Sequence, residues 1–157
     1  MRLRRRTPDI DGLVSGERVL ATAGGPDGDV VATTHRLFLR DTEVEWSRVD
    51  TATWDGDAEL LAVTEVPEST GRQRRHRVAL RHPGRLVDVV REQVIASVLI
   101  SRHLAVDGRR GVRVTGRRTP SGEIVWSAAL DAGIDMNDPA IRERVDAAVA
   151  LVRNEVE

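Results

Sequence analysis

The chain has 157 residues, 24 basic and 25 acidic side chains, a net charge of −1 and no cysteine. That length suits one domain, or one domain with a docked appendage, and the near-neutral charge gives no global electrostatic case for nucleic acid or a membrane surface. Without cysteine there are no disulfides, no thiolate chemistry, no Cys-ligated zinc and no iron–sulfur cluster, which fits the cytoplasm as the expected compartment.

Residues 1–16 read as a basic arm. Arg2, Arg4, Arg5 and Arg6 have the charge of a signal-peptide start, but Pro8, Asp9, Asp11 and Gly12 follow in place of an apolar stretch, so export by that route is not expected. From Glu17 to Leu80 the chain is a series of short strand-like runs separated by turn signals. Glu17–Ala23 alternates, Gly24–Asp29 is a turn rich in glycine, and Val30–Thr34 resumes as strand. His35-Arg36 reads as a break before the strand Leu37–Leu39, and Val44, Trp46 and Val49 lead on toward Trp54. Asp55-Gly56-Asp57 is hairpin-turn chemistry. Leu60–Val66 is rich in β-formers and is ended by Pro67, and Arg74–Leu80 is a last strand.

Then the period changes. His82-Pro83-Gly84 breaks the chain, and a helix is predicted from about Arg85 to Leu104. Its first half is amphipathic, with Leu86, Val87, Val90 and Val94 on one side. Its second half is apolar nearly all round, which demands cover on two sides. The longest apolar run, Val94–Ile100, is far too short to span a bilayer. Gly111–Thr115 and Glu123–Ser127 form a predicted hairpin around Thr119-Pro120-Ser121-Gly122. A final amphipathic helix starts at Asp138 as N-cap and Pro139 as first helical residue.

Several β-runs followed by one long helix is the element order of pleckstrin-homology-like (PH-like) barrels. Gly28–Leu39 is similar to the strand, Thr, polar, Arg-Leu, strand pattern of bacterial PH-like and GRAM-like domains. Trp46-Ser47-Arg48-Val49 and Leu60–Val63 resemble elements further along the same fold. The resemblance covers residues 15–104 and implies an α+β fold: an antiparallel barrel of two bent sheets, over residues 17–106, with a long helix plugging one end. Residues 107–157 add the hairpin and second helix, docked on the first unit. The alternative arrangement is a two-layer sandwich with the long helix between sheet and hairpin.

What the resemblance implies is a binding scaffold, not an enzyme. PH-like domains that hold phosphoinositides use basic residues in the first hairpin loop, whereas Ala23–Asp29 carries none and two acids, so a phosphoinositide ligand is not expected. No catalytic, cofactor-binding or metal-binding residue is assigned. His35 reads as a turn histidine, His76 and His82 lie among arginines that disfavour a cation, and His103 falls at the predicted helix end. Lysine is absent, which removes Walker-type and Ser-x-x-Lys chemistry, and Gly24, Gly25 and Gly28 lack dinucleotide spacing. Asp131, Asp135 and Asp138 miss the EF-hand spacing and read as turn and cap.

The arginines are the one unusual feature. Beyond the N-terminal arm they cluster as Arg72, Arg74, Arg75 and Arg77, and as Arg109, Arg110, Arg113, Arg117 and Arg118. A basic binding face follows if these nine converge. The expected function is a non-catalytic module that recognises a protein or peptide, with homodimerisation through Val94–Ile100. Nucleic-acid binding through the arginines is the alternative, although the scarcity of aromatic residues leaves few stacking platforms.

Overall fold

The computed structural model describes residues 12–68 and 70–157, so the arginines of the N-terminal arm lie outside the described residues. The fold is α+β, with three antiparallel sheets and two helices. Strands β1 (Val19–Ala23), β2 (Val30–Thr33), β3 (Arg36–Phe38) and β4 (Glu43–Glu45) form the first sheet in that order. A 3-10 turn, Trp46–Arg48, leads into the second sheet of β5 (Val49–Asp55), β6 (Leu60–Glu65) and β7 (Arg75–Ala79). The β5–β6 turn works as its sequence indicates, with Asp55 Oδ1 accepting from the N–H groups of Asp57 and Ala58 at 3.0 Å each. Helix α1 (Leu86–Ser97) turns Leu86, Val89 and Val90 into a core shared with both sheets, among them Val30, Leu37, Trp46, Leu61, Val63 and Leu80. The two sheets meet at one corner in a single bridge between Gly24 and Arg81, and the seven strands do not close into a barrel.

The long helix expected from Arg85 to Leu104 is corrected. α1 ends at Ser97, and the chain continues as strand β8 (Val98–Asp107). The physical reason lies in the apolar, β-branched run that had no polar face. As a helix it would need cover on all sides. As a strand only alternate side chains need it, and Ile100, Leu104 and Val106 find it in a second core. The strand also gains a hydrogen-bonded partner along its length in β9 (Arg110–Arg118). Ser97 marks the switch, its hydroxyl donating to the Val94 carbonyl at 2.7 Å.

The hairpin expected over 111–127 is longer and belongs to a three-stranded sheet, ordered β10–β9–β8, with β10 running Ile124–Leu130. Residues 98–106, grouped with the first unit in the sequence reading, pair here with the C-terminal strands. Helix α2 (Pro139–Asn154) covers one face of this sheet with Ile141, Val145, Ala148 and Val152, against Ile100, Val112 and Val114. Its start is as predicted, with Asp138 Oδ1 accepting from the Ala140 N–H at 3.0 Å and Pro139 at the first turn.

Arg117 links the two layers. Its side chain is 6% exposed, and Nη2 reaches Asp50 Oδ1 of β5 at 3.4 Å while Nη1 donates to Ser127 Oγ at 3.1 Å. Nε has no partner. Burial pushes the guanidinium below the usual arginine range, against the raising effect of Asp50. Contacts this long repay little of the desolvation of a buried cation. Arg117→Met is therefore expected to leave stability within about 1 kcal/mol of wild type, while Asp50→Ala, which strands the cation, costs about 2 kcal/mol. Urea unfolding of both variants checks the asymmetry.

Candidate functional site

A cleft of about 410 Å³ opens where the first layer meets the β9–β10 turn. Its walls come from four places: Gly16 and Arg18 before β1, Thr34 and His35 between β2 and β3, Trp46 and Ser47 in the 3-10 turn, and Gln93, Ala96 and Ser97 at the end of α1. Arg118, Thr119 and Pro120 close it from the second layer. Its size falls within the range of small-molecule and side-chain pockets.

Local chemistry holds each wall in place. The Thr33 hydroxyl donates to Glu17 Oε2 at 2.6 Å and accepts from the N–H groups of His35 and Arg36, which fixes the His35 turn. Arg18 and Thr34 are tied twice: the Thr34 N–H donates to the Arg18 carbonyl, and the Arg18 N–H to Thr34 Oγ1. Trp46 is buried and donates from Nε1 to the Thr33 carbonyl at 2.8 Å. The hairpin turn is pinned by the Thr119 N–H to the Glu123 carbonyl and by the Glu123 N–H to Thr119 Oγ1.

The electrostatics are one-sided. Arg18 and Arg118 are exposed, and neither has an acidic partner among the described residues. Among the described residues no carboxylate lines the cleft; Glu45 lies in an adjoining recess that shares His35 and Pro120, where it accepts from the Ser47 hydroxyl at 3.5 Å. The C-terminal end of α1 contributes roughly half a negative charge, less than either guanidinium supplies. The cleft therefore suits an anionic group, with Thr34 and Thr119 as hydroxyl donors and Trp46, Ala96 and Pro120 as apolar wall, while the Ser97 and Ser47 hydroxyls donate to the Val94 carbonyl and to Glu45. The His35 ring has no carboxylate to orient it as a base among the described residues.

Comparison with known protein families, curated proteins and solved structures finds no match for this chain. The site therefore rests on its own geometry.

Of the nine arginines expected to converge, the cleft holds one, Arg118. Arg75 and Arg77 project from β7 into a separate recess beside Arg40 and Asp41, Arg74 pairs with Glu68 at 3.3 Å, and Arg72 is exposed in the loop before them. Arg109 is exposed in the β8–β9 turn, Arg110 reaches the Gly133 carbonyl at 3.5 Å, and Arg113 donates to Ser101 Oγ at 3.3 Å. Arg117 is buried and committed to Asp50. The arginines expected to form one basic face lie on separate sheets, β7 in one and β9 in another, and one of them, Arg117, is internal. Arg18 escaped the sequence reading because a lone arginine before a strand carries no local signal; only the tertiary approach of the β9–β10 turn gives it a partner across a cleft.

The other candidates are structural. His76 Nε2 meets Glu65 Oε2 at 2.7 Å. His103 lies within β8, not at a helix end, and meets Asp131 Oδ2 at 2.8 Å. His103 and the Gly111 N–H hold the Asp131 carboxyl below its usual range. Asp135 accepts from the Asn137 N–H, Asp138 caps α2, and no metal-binding cluster occurs among the described residues.

A second groove, of about 920 Å³, runs between the outer edge of β10 and the loop after β6, lined by Pro67, Trp126, Leu130, Met136 and Val145. No described helix is long and apolar enough to cross a membrane.

Proposed function

We propose that this protein is a non-catalytic binding module of PH-like build that recognises an acidic group on a protein or peptide partner. The observation that carries the reading is the Arg18–His35–Arg118 cleft, basic on both sides, with no carboxylate in its lining and two guanidiniums without acidic partners among the described residues. The PH-like build is supported by the order of elements: four strands, then three, then a helix, with both sheets and the helix sharing one core. The β1–β2 loop, where PH-like domains hold phosphoinositides, has Asp27 and Asp29 and no basic residue, so the anion is expected at the cleft and not at that loop.

A carboxylate or phosphate held by two guanidiniums makes charge-assisted bonds worth about 1.5–3 kcal/mol each. Reversing both charges in Arg18→Glu/Arg118→Glu is therefore expected to weaken binding by at least ~100-fold. The probe is a glutamate-rich peptide, with a lysine-rich peptide of the same length as control, followed by amide chemical shifts in an NMR titration. Shifts confined to Arg18, His35, Ser97 and Arg118 with the acidic peptide, and lost in the double variant, support the reading. Equal response to both peptides, or binding that survives the double variant, overturns it.

A further inference from the structure

Strand β8 is an edge. It pairs with β9 on one side, and among the described residues no strand lies on the other. The opposite edge, β10, faces the loop after β6 across the groove described above, so β8 is the open edge of this sheet. An edge strand of ten residues presents unpaired N–H and C=O groups, and natural proteins cover or blunt such edges. Bulges blunt β8 only at its ends, between Val98 and Ile100 and between Ala105 and Asp107. The stretch Ile100–Ala105 remains regular.

One flank of α2 overhangs this edge. Arg144 Nη1 donates to the Val106 carbonyl at 3.1 Å, and Glu155 Oε2 meets Arg102 Nε at 3.5 Å. Residues 144, 151 and 155 share one stripe of a helix with 3.6 residues per turn. Leu151 therefore stands above β8 between those two contacts, and it is 58% exposed. On β8 itself Val98 and Leu99 are exposed as well. Leu151 stands outside the core that α2 shares with the sheet.

The stripe is self-complementary in charge. Read along α2 it runs Arg144, Ala147, Leu151, Glu155: positive, small, apolar, negative. Set antiparallel against its own copy with arginine opposite glutamate on each side, it brings the two leucines to either side of the centre, about 4.5 Å apart along the helices.

We infer that β8 is a homodimer interface, two copies joining edge to edge and antiparallel into one six-stranded sheet with the two α2 helices side by side. Two-fold symmetry keeps each strand face with its like face, so paired residue numbers have an even sum. Centring the pair on Leu104 sets Arg102 opposite Val106 of the second copy, and so Glu155 across from Arg144. Centring it on Arg102 would instead oppose two like charges. The span from Val106 to Arg102 is about 13 Å of strand, under about 16 Å of helix from Arg144 to Glu155. Leu151 falls beside the two-fold axis, about 2 Å from it along the helix. Edge pairing supplies main-chain hydrogen bonds, and Leu151 with its copy supplies the apolar contact over them.

The full-length chain tests this directly. Sedimentation equilibrium at ~100 μM is expected to give twice the monomer mass. Leu151→Glu, at an exposed site, is expected to keep the thermal melt cooperative and weaken self-association by ~100-fold or more. Because the chain has no cysteine, Leu151→Cys introduces a lone thiol. Mild oxidation should crosslink it as a dimer, whereas Ala150→Cys, exposed on another side of the helix, should not crosslink. R144E and E155R should each self-associate weakly, since each sets like charges across the axis, while an equimolar mixture of the two should recover the dimer. A monomeric mass for the wild type overturns the inference. So does a dimer that persists in Leu151→Glu and does not crosslink through Leu151→Cys, because the contact would then lie elsewhere.

Discussion

Replacing Glu17 by glutamine is expected to cost about 3–5 kcal/mol, a large fraction of the stability of a domain this size. The Glu17 side chain is fully buried and accepts from four donors. Arg36 gives Nε at 3.0 Å and Nη2 at 2.9 Å, the Thr33 hydroxyl lies at 2.6 Å, and the Val14 N–H at 3.1 Å. Arg36 in turn bonds Glu43 at 2.7 Å and the Gly12 carbonyl at 2.8 Å, and its guanidinium lies 4.7 Å from the Phe38 ring centroid. The node ties the lead-in to β1, the end of β2 and all of β3. A glutamine amide would aim N–H groups at a guanidinium that has no acceptor for them, leaving a largely buried cation with only the exposed Glu43 as its acid. Urea unfolding at pH 7 measures the loss, and a change under about 1 kcal/mol would show that the node is dispensable.

The same carboxyl makes stability depend on acid. Burial alone would raise its pKa, but the bonds from Arg36, Thr33 and the Val14 N–H outweigh it and hold the group at about 2, below the ordinary 4.5. The folded state thus binds this proton less tightly than the unfolded chain does. Its contribution is fully present above pH 4.5 and is lost as pH falls through about 2. A shift of this size corresponds to about 3 kcal/mol. Wild-type urea midpoints should therefore drop across that interval, and those of Glu17→Gln should drop less steeply.

What was legible in the sequence was local. The Asp55-Gly56-Asp57 turn and the Asp138–Pro139 helix start each depend on residues within a turn of one another, and each appears where its chemistry places it, while the break expected at His35-Arg36 falls one residue earlier, at Thr34-His35, with Arg36 opening β3. The segment after Ser97 failed because Val98, Leu99 and Ile100 suit a helix or a strand equally by hydropathy. The decision was made by β9, a partner that lies later in the chain. Trp46 reads as strand but sits in a 3-10 turn, where its indole N–H reaches the Thr33 carbonyl across the sheet. The cleft was invisible for the same reason as β8: Arg18 and Arg118 are a hundred residues apart and meet only through the packing of two layers. The charge pattern even pointed elsewhere, since arginines adjacent in sequence alternate sides of a strand, and Arg117 turned inward where Arg118 did not.

Gly25→Ala is expected to destabilise the protein by about 3 kcal/mol or more, while Gly24→Ala next to it costs under about 1 kcal/mol. At Gly25 a Cβ would stand 2.0 Å from the Ala79 carbonyl oxygen and 3.1 Å from its carbon. Those are backbone atoms of β7, and β7 is held by its full ladder to β6, so they cannot swing aside as a side chain would. The loop itself is no freer, because Gly25 and Gly28 exchange both N–H and C=O bonds at 3.1 Å. At Gly24 the added methyl would meet only Asp29 Oδ1, at 3.4 Å, an ordinary contact with a group that can rotate. This corner is where the two sheets of the first layer touch, through the Arg81 N–H donating to the Gly24 carbonyl at 2.9 Å. The two methyl groups differ by one position and test one thing, the closeness of the β1–β2 loop to the end of β7. A thermal melt in which Gly24→Ala matches wild type and Gly25→Ala falls well below it places that backbone contact in solution; equal melts would mean the sheets stand apart there, and the shared core would then rest on α1 and the Trp46 turn alone.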